Sequence, residues 1–282
     1  MTPKFIFTNS KGQSVEFTND APLFMKTYHG TGGSPVDIQT QKSPYQDGET
    51  LIDTTLEMRD IQLVVAILGT STAEVMQHRR RLSQVLNPKL GRGKLRFESE
   101  TGAHEIDVQP NGAPAFPGGK ARGALYQECL IELLAPSPFW LDPYFESREL
   151  SYLMGGIQFR LKLPTMFSYW GFERRVINDG DVPTPVEIEF KGPAVNPTVS
   201  NETTGELIKV NRELQEDEVL NISTAFGQKY VCINGDNAFH YIDLSSVFWQ
   251  LVPGENLLSY TSNNDSIKTQ VTVKWKNRYV GI

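Results

Sequence analysis

One amphipathic helix inside a chain otherwise made of strands constrains this sequence more than any other feature. The segment 71–86 (STAEVMQHRRRLSQVL) has both ends marked. Ser71, with Glu74 three residues later, reads as a capping box: the serine accepts from an orphan N–H and the glutamate reaches back. Asn87-Pro88 closes the helix, because the residue before a proline is pushed out of the helical region. Val75, Leu82, Val85 and Leu86 form a narrow apolar stripe, while Arg79, Arg80 and Arg81 point to water. Elsewhere apolar residues alternate with period two or are interrupted by glycine and proline. A mainly β fold with a single helix follows.

With 282 residues, two domains are expected, each able to bury a core. Hydrophobic residues at 39% and charged residues at 21% describe an ordered, soluble chain. The net charge of −6 argues against a dedicated nucleic-acid binder, whose affinity rests on neutralising phosphates. No apolar run follows Lys4, so no signal peptide is expected, and the most apolar segment, 61–68, is far shorter than the ~20 residues a membrane span needs. Cys129 and Cys232 are far apart in strand-like runs and read as buried free thiols, consistent with synthesis in a reducing cytoplasm.

Phe5-Ile6-Phe7 and Val15–Phe17 flank Asn9–Gly12, a hairpin pattern. The loop Gly30–Pro35, a strand from Val36 and a polar loop through Gln46-Asp47-Gly48 come next. In the following strand Leu56 and Met58 are even, whereas Ile61, Leu63, Val65 and Ile67 are odd. One period-two strand cannot keep both sets on one face, which predicts a bulge or bend at Arg59-Asp60. Strands 95–97, 106–108 and 126–134 follow the helix, with Cys129, Ile131 and Leu133 on one face. Ala135-Pro136-Ser137-Pro138 is a stiff connector and the expected boundary, giving domains 1–136 and 137–282. Phe139-Trp140-Leu141 then offers apolar surface for packing. The second block is strand after strand, with Val186, Ile188 and Phe190, then Leu220, Ile222 and Thr224, then Val271, Val273 and Trp275 each on one face.

No catalytic, cofactor-binding or metal-ligating residue emerges. His29, His78, His104 and His240 are scattered. Gly30-Thr31-Gly32-Gly33 and Gly91-Arg92-Gly93-Lys94 lack the ending of a phosphate-binding loop and read as turns. Asp179-Gly180-Asp181 and Asp217-Glu218 lack the alternating ligands of a calcium loop. Arg79–Arg81 with Arg92, Lys94 and Arg96 is the densest basic region, suited to an acidic partner subunit, to nucleic acid or simply to solvent.

Specific phrases carry a resemblance. His29-Gly-Thr-Gly-Gly-Ser-Pro-Val, Ser43-Pro-Tyr-Gln-Asp-Gly, Arg59-Asp-Ile and Leu86-Asn-Pro occur in the first block. Ile177-Asn-Asp-Gly-Asp-Val-Pro-Thr-Pro-Val-Glu-Ile, Asn201-Glu-Thr-Thr-Gly, Leu251-Val-Pro-Gly-Glu-Asn-Leu-Leu and Val273-Lys-Trp-Lys-Asn-Arg-Tyr-Val-Gly occur in the second. Together, in this order, they resemble the siphophage distal tail protein family over nearly the whole chain, residues 146–175 excepted.

The resemblance implies an N-terminal β-barrel or sandwich with one helix, followed by a C-terminal galectin-like β-sandwich. It further implies a homo-oligomer, a hexameric ring at the distal end of the virion tail. That ring joins the tail tube protein to the tail-associated fibre or lysin hub, takes part in host attachment and in some members carries receptor-binding proteins. DNA passes through its channel without specific binding, and no cofactor or membrane insertion is implied. Two other classes remain open on the residues. A carbohydrate-binding module would stack sugars on Trp170, Trp249 or Trp275, although the galectin sugar-binding pattern is missing. A cell-wall glycosidase would need a carboxylate pair in a cleft.

Overall fold

A computed structural model describes residues 3–150, 172–263 and 268–282. The chain forms two compact units, Met1–Pro143 with Tyr279–Ile282, and Tyr144–Arg278.

In the first unit, β1 (Lys4–Thr8) and β2 (Ser14–Phe17) make the expected hairpin, with Phe5 opposite Phe17. Then come β3 (Leu23–His29), β4 (Val36–Gln41), β5 (Thr50–Leu56) and β6 (Arg59–Leu68). After α1 (Thr72–Val85) follow β7 (Gly93–Ser99), β8 (Gly102–Pro110), β9 (Tyr126–Ala135) and the short β10 (Trp140–Leu141). The main sheet runs β2-β1-β7-β8-β9-β6-β3. A bridge between Thr18 and Phe24 joins its two outer strands, so the sheet curls towards closure as a barrel. Inward residues follow the period-two reading: Phe5, Phe7, Leu95, Ile106, Val108, Cys129, Ile131 and Leu133 are all buried.

The helix behaves as its sequence demands, with one shift. Ser71 caps it by accepting from the Glu74 N–H at 3.2 Å, but Glu74 reaches back to Thr70, not Ser71, accepting from its N–H and its hydroxyl at 2.7 Å each. Val75, Leu82, Val85 and Leu86 are buried in the unit's core. Trp140, completely buried, belongs to that same core, so Trp140 and Leu141 complete the first unit instead of opening the second.

The bulge or bend expected at Arg59-Asp60 is absent at those residues, and β6 pairs with β9 in unbroken register from Arg59 to Leu68. The parity change has a different cause. The strand ends at Leu56, and β6 starts at Arg59 in another sheet. The even and odd apolar residues belong to separate elements.

The second unit contains β11 (Glu146–Glu149), β12 (Phe172–Asn178), β13 (Thr184–Lys191), β14 (Ala194–Val195), β15 (Thr198–Asn201) and β16 (Glu206–Lys209). They are followed by β17 (Glu213–Leu214), β18 (Val219–Ser223), β19 (Tyr230–Ile233), β20 (Asp236–Asn237), β21 (Gln250–Leu251), β22 (Gly254–Thr261) and β23 (Gln270–Trp275). One sheet runs β11-β23-β13-β18-β19-β20 and another β12-β22-β15-β16. Val186, Ile188, Phe190, Val271, Val273 and Trp275 from the first share one buried cluster with Val199, Ile208, Leu258 and Tyr260 from the second. Two sheets enclosing one core make a sandwich. Buried Asn256 holds its turn together by donating to the Val252 and Gly254 carbonyls, and Asn201 donates to Asn256 Oδ1 at 3.3 Å.

Candidate assembly surface

β4 and β5 pair only with each other. They prolong the β3–β6 hairpin past the barrel as a two-stranded arm. Every residue of β4 is exposed, and in β5 only Leu56 is partly covered. Directly opposed residues share a face. Val36 lies opposite Leu56 and Ile38 opposite Thr54, whereas Asp37 lies opposite Thr55 and Gln39 opposite Asp53. One face is therefore apolar and the other polar and acidic. A register shift between Gln39 and Thr40 leaves exposed Ile52 as the extra residue on β5, beside exposed Leu51. Val36 is 45% exposed, Ile38 59% and Leu51 61%, a large apolar row for a free surface. An isolated two-stranded ribbon is marginally stable in water, so this arm fits a surface completed by a partner.

Arg59 fixes the arm's root. It is fully buried at the start of β6. Its Nε donates to the Pro138 carbonyl at 2.8 Å, its Nη1 to the carbonyls of Gly30 (2.8 Å), Gly32 (2.5 Å) and Gly33 (3.5 Å), and its Nη2 to that of Val280. Burial pulls its pKa down from the ordinary arginine value. Ile282 N–H donates to the Thr31 carbonyl at 3.0 Å, so the last residues brace the same loop. Gly30 has φ +94°, and an added Cβ would strike the Asp60 carbonyl. The glycine loop thus turns carbonyl oxygens towards a guanidinium, the reverse of the N–H cradle that holds phosphate. In the sequence Arg59 marks an expected bulge or bend and one of the resembling phrases, with no anchoring role assigned to it. Its parity was the available signal, since it shares the inward register of Ile61, Leu63, Val65 and Ile67.

The basic region divides. Lys94 and Arg96 on β7 are paired, with Lys94 2.9 Å from Glu105 and Arg96 2.7 Å from Glu98. Arg79 lies over the Phe116 ring at 4.5 Å. Arg80 and Arg92 stay exposed and make no ion pair among the described residues.

The other sequence candidates do not converge. His29 ends β3, His78 sits on α1 with Nε2 3.7 Å from Glu74, His104 meets the Tyr279 ring edge-on at 4.9 Å, and His240 packs on Tyr241. Burial lowers the His104 pKa. Among the described residues no three His, Cys, Asp or Glu side chains gather to hold a metal. Glu218 is engaged by Arg212 at 2.7 Å and by the Gln215 N–H at 2.9 Å, and the turn holding Asp179 and Asp181 is closed by the Gly180 N–H on Asn178 Oδ1. Trp249 and Trp275 are each 1% exposed, too deep to stack on a sugar; Trp170 lies outside the described residues.

Burial pushes the Cys129 thiol up to about 12, whereas Cys232 is only partly buried. Alkylation of the folded protein at pH 8 is expected to label Cys232 and leave Cys129 unlabelled until denaturant is added, as read by peptide mass.

No helix among the described residues is long and apolar enough to cross a membrane. Residues 10–135 match the phage tail protein RIFT-related domain family, and residues 179–279 match the siphovirus-type tail component, C-terminal domain. No curated protein sequence matches the chain. The fold is similar to the crystal structure of the phage SPP1 Dit protein, described as a paradigm of the hub adsorption apparatus in phages infecting Gram-positive hosts, with TM-score 0.70 and 12% identity over 97% of this chain and 98% of that one. It is also similar to a chain of the phage P2 baseplate in its activated conformation with Ca, with TM-score 0.54 and 12% identity over 100% of both chains. The mainly β architecture, with one α-helix among the described residues and an exposed arm, agrees with a structural component of the phage tail and baseplate hub. The two family matches together span both units, and the chain belongs to the siphophage distal tail protein family.

Proposed function

We propose that the protein assembles as a hexameric ring at the distal end of a siphophage tail. The ring joins the tail tube protein to the tail-associated fibre or lysin hub and takes part in host attachment, with the second unit, a galectin-like sandwich, outside the ring. The arm carries this reading: a ribbon with no partner sheet and an apolar row in water is the kind of surface that assembly covers. DNA passes through the channel without being gripped, and the net charge of −6 supports this. The role is geometric, with no turnover of a substrate.

Light scattering with negative-stain imaging of the purified chain tests the proposal. The expected particle has a mass close to six chains and a central hole. A monomer, or a compact dimer without a hole, overturns it.

A further inference from the structure

The arm's second face has its own chemistry. Asp37 and Asp53 lie on it, and Glu57 continues the row, its N–H donating to the Pro35 carbonyl at 2.9 Å. With Asp47 and Glu49 near the tip, residues 36–57 hold five carboxylates against the single ammonium of Lys42. All five carboxylate residues are exposed.

The same unit offers the complement elsewhere. The Ser10 hydroxyl donates to the Leu90 carbonyl at 2.6 Å, Asn9 Nδ2 to the Val85 carbonyl at 3.1 Å, and Arg81 to the Ser14 carbonyl at 3.4 Å. These contacts bring the β1–β2 turn, the end of α1 and the 3₁₀ turn Pro88–Leu90 together. Lys11, Arg81, Lys89 and Arg92 therefore form one exposed patch. None of the four makes an ion pair among the described residues. Lys94 and Arg96, a few residues away, have carboxylates of their own, so the patch stands out by lacking them.

We infer that the acidic face of one copy's arm docks on the Lys11–Arg81–Lys89–Arg92 patch of the next copy. The inference rests on the ring reading and adds which surfaces meet. Acidic face and cationic patch are different surfaces of one unit, carried by the β4–β5 ribbon and by the β1–β2–α1 corner. A contact between unlike surfaces is head-to-tail, and repeated with rotation it closes a ring. Exposed ion pairs contribute little each, so the contact depends on several pairs acting together and on low salt. Raising salt from about 0.1 M to about 1 M shortens the screening length from ~10 Å to ~3 Å and is expected to weaken association about tenfold or more.

Charge reversal with complementation is the test, read by light scattering on the full chain. One variant carries Asp37→Lys and Asp53→Lys, the other Lys89→Glu and Arg92→Glu. All four positions are exposed, and circular dichroism melts check that both variants fold. Each variant alone is expected to lose the multi-subunit particle, and an equimolar mixture to regain it, because each reversed face then meets its opposite. If the unaltered protein assembles and the variants assemble equally well, or the mixture stays dissociated, the docking is overturned while the ring stands. If the unaltered protein is monomeric at every concentration, docking and ring are both overturned.

Discussion

Replacing Arg59 with alanine is expected to destabilise the first unit by about 2–5 kcal/mol, from the cavity left by a large buried side chain and the buried carbonyls that lose their donor. The guanidinium is fully buried and donates to the carbonyls of Pro138, Gly30, Gly32, Gly33 and Val280. Alanine removes the donor that the Pro138 and Gly30 carbonyls share and opens a cavity beneath the arm's root, and each unsatisfied buried acceptor costs about 1–3 kcal/mol unless water enters. Thermal unfolding followed by circular dichroism should show the first unit's transition lowered by roughly 10 °C. Arg59→Lys should recover only part of the loss, since an ammonium has three donors on one nitrogen and cannot span acceptors on separate chain segments. An unchanged melting curve for the alanine variant would mean the carbonyls are served by water and the arginine is dispensable.

Excising the arm should have the opposite profile, with little change in stability and complete loss of assembly. β4 and β5 hydrogen-bond only to each other, so removing residues 36–56 deletes no ladder of the main sheet. The cut ends are already adjacent, because the Glu57 N–H donates to the Pro35 carbonyl at 2.9 Å, and a linker of about four residues can close the gap as a short hairpin loop. The excised protein is expected to unfold within a few degrees of the parent and to run as a monomer in light scattering. Retention of a ring after excision would relocate the assembly contact to the barrel body. The two variants separate the arm's root from its reach, since Arg59 acts on folding and the ribbon acts on association.

Much of the architecture was legible because it is local. Period-two alternation assigned inward faces correctly in both units, as with Cys129, Ile131 and Leu133 in β9 and Val271, Val273 and Trp275 in β23. The helix declared itself through Ser71, its apolar stripe and Pro88, all within a few residues of the bonds they control. Even the parity conflict between Leu56 and Ile61 was visible. Its meaning was not, because a bulge and a change of sheet leave the same one-residue offset in a sequence.

What the chain alone determined, then, was the helix, the most regularly alternating strands and the face each of these buries, because side-chain spacing and capping act over a turn or two. The tertiary structure decided the rest. Whether β4 and β5 join the barrel or stand clear of it depends on which distant strands take the available edges. Arg59 became an anchor only when Pro138 and Val280, 79 and 221 residues away in sequence, brought their carbonyls to it. The union of Lys11 with Arg81, Lys89 and Arg92 likewise arises from packing between a hairpin turn and a helix end. Such contacts depend on long-range chain closure, which no local pattern encodes.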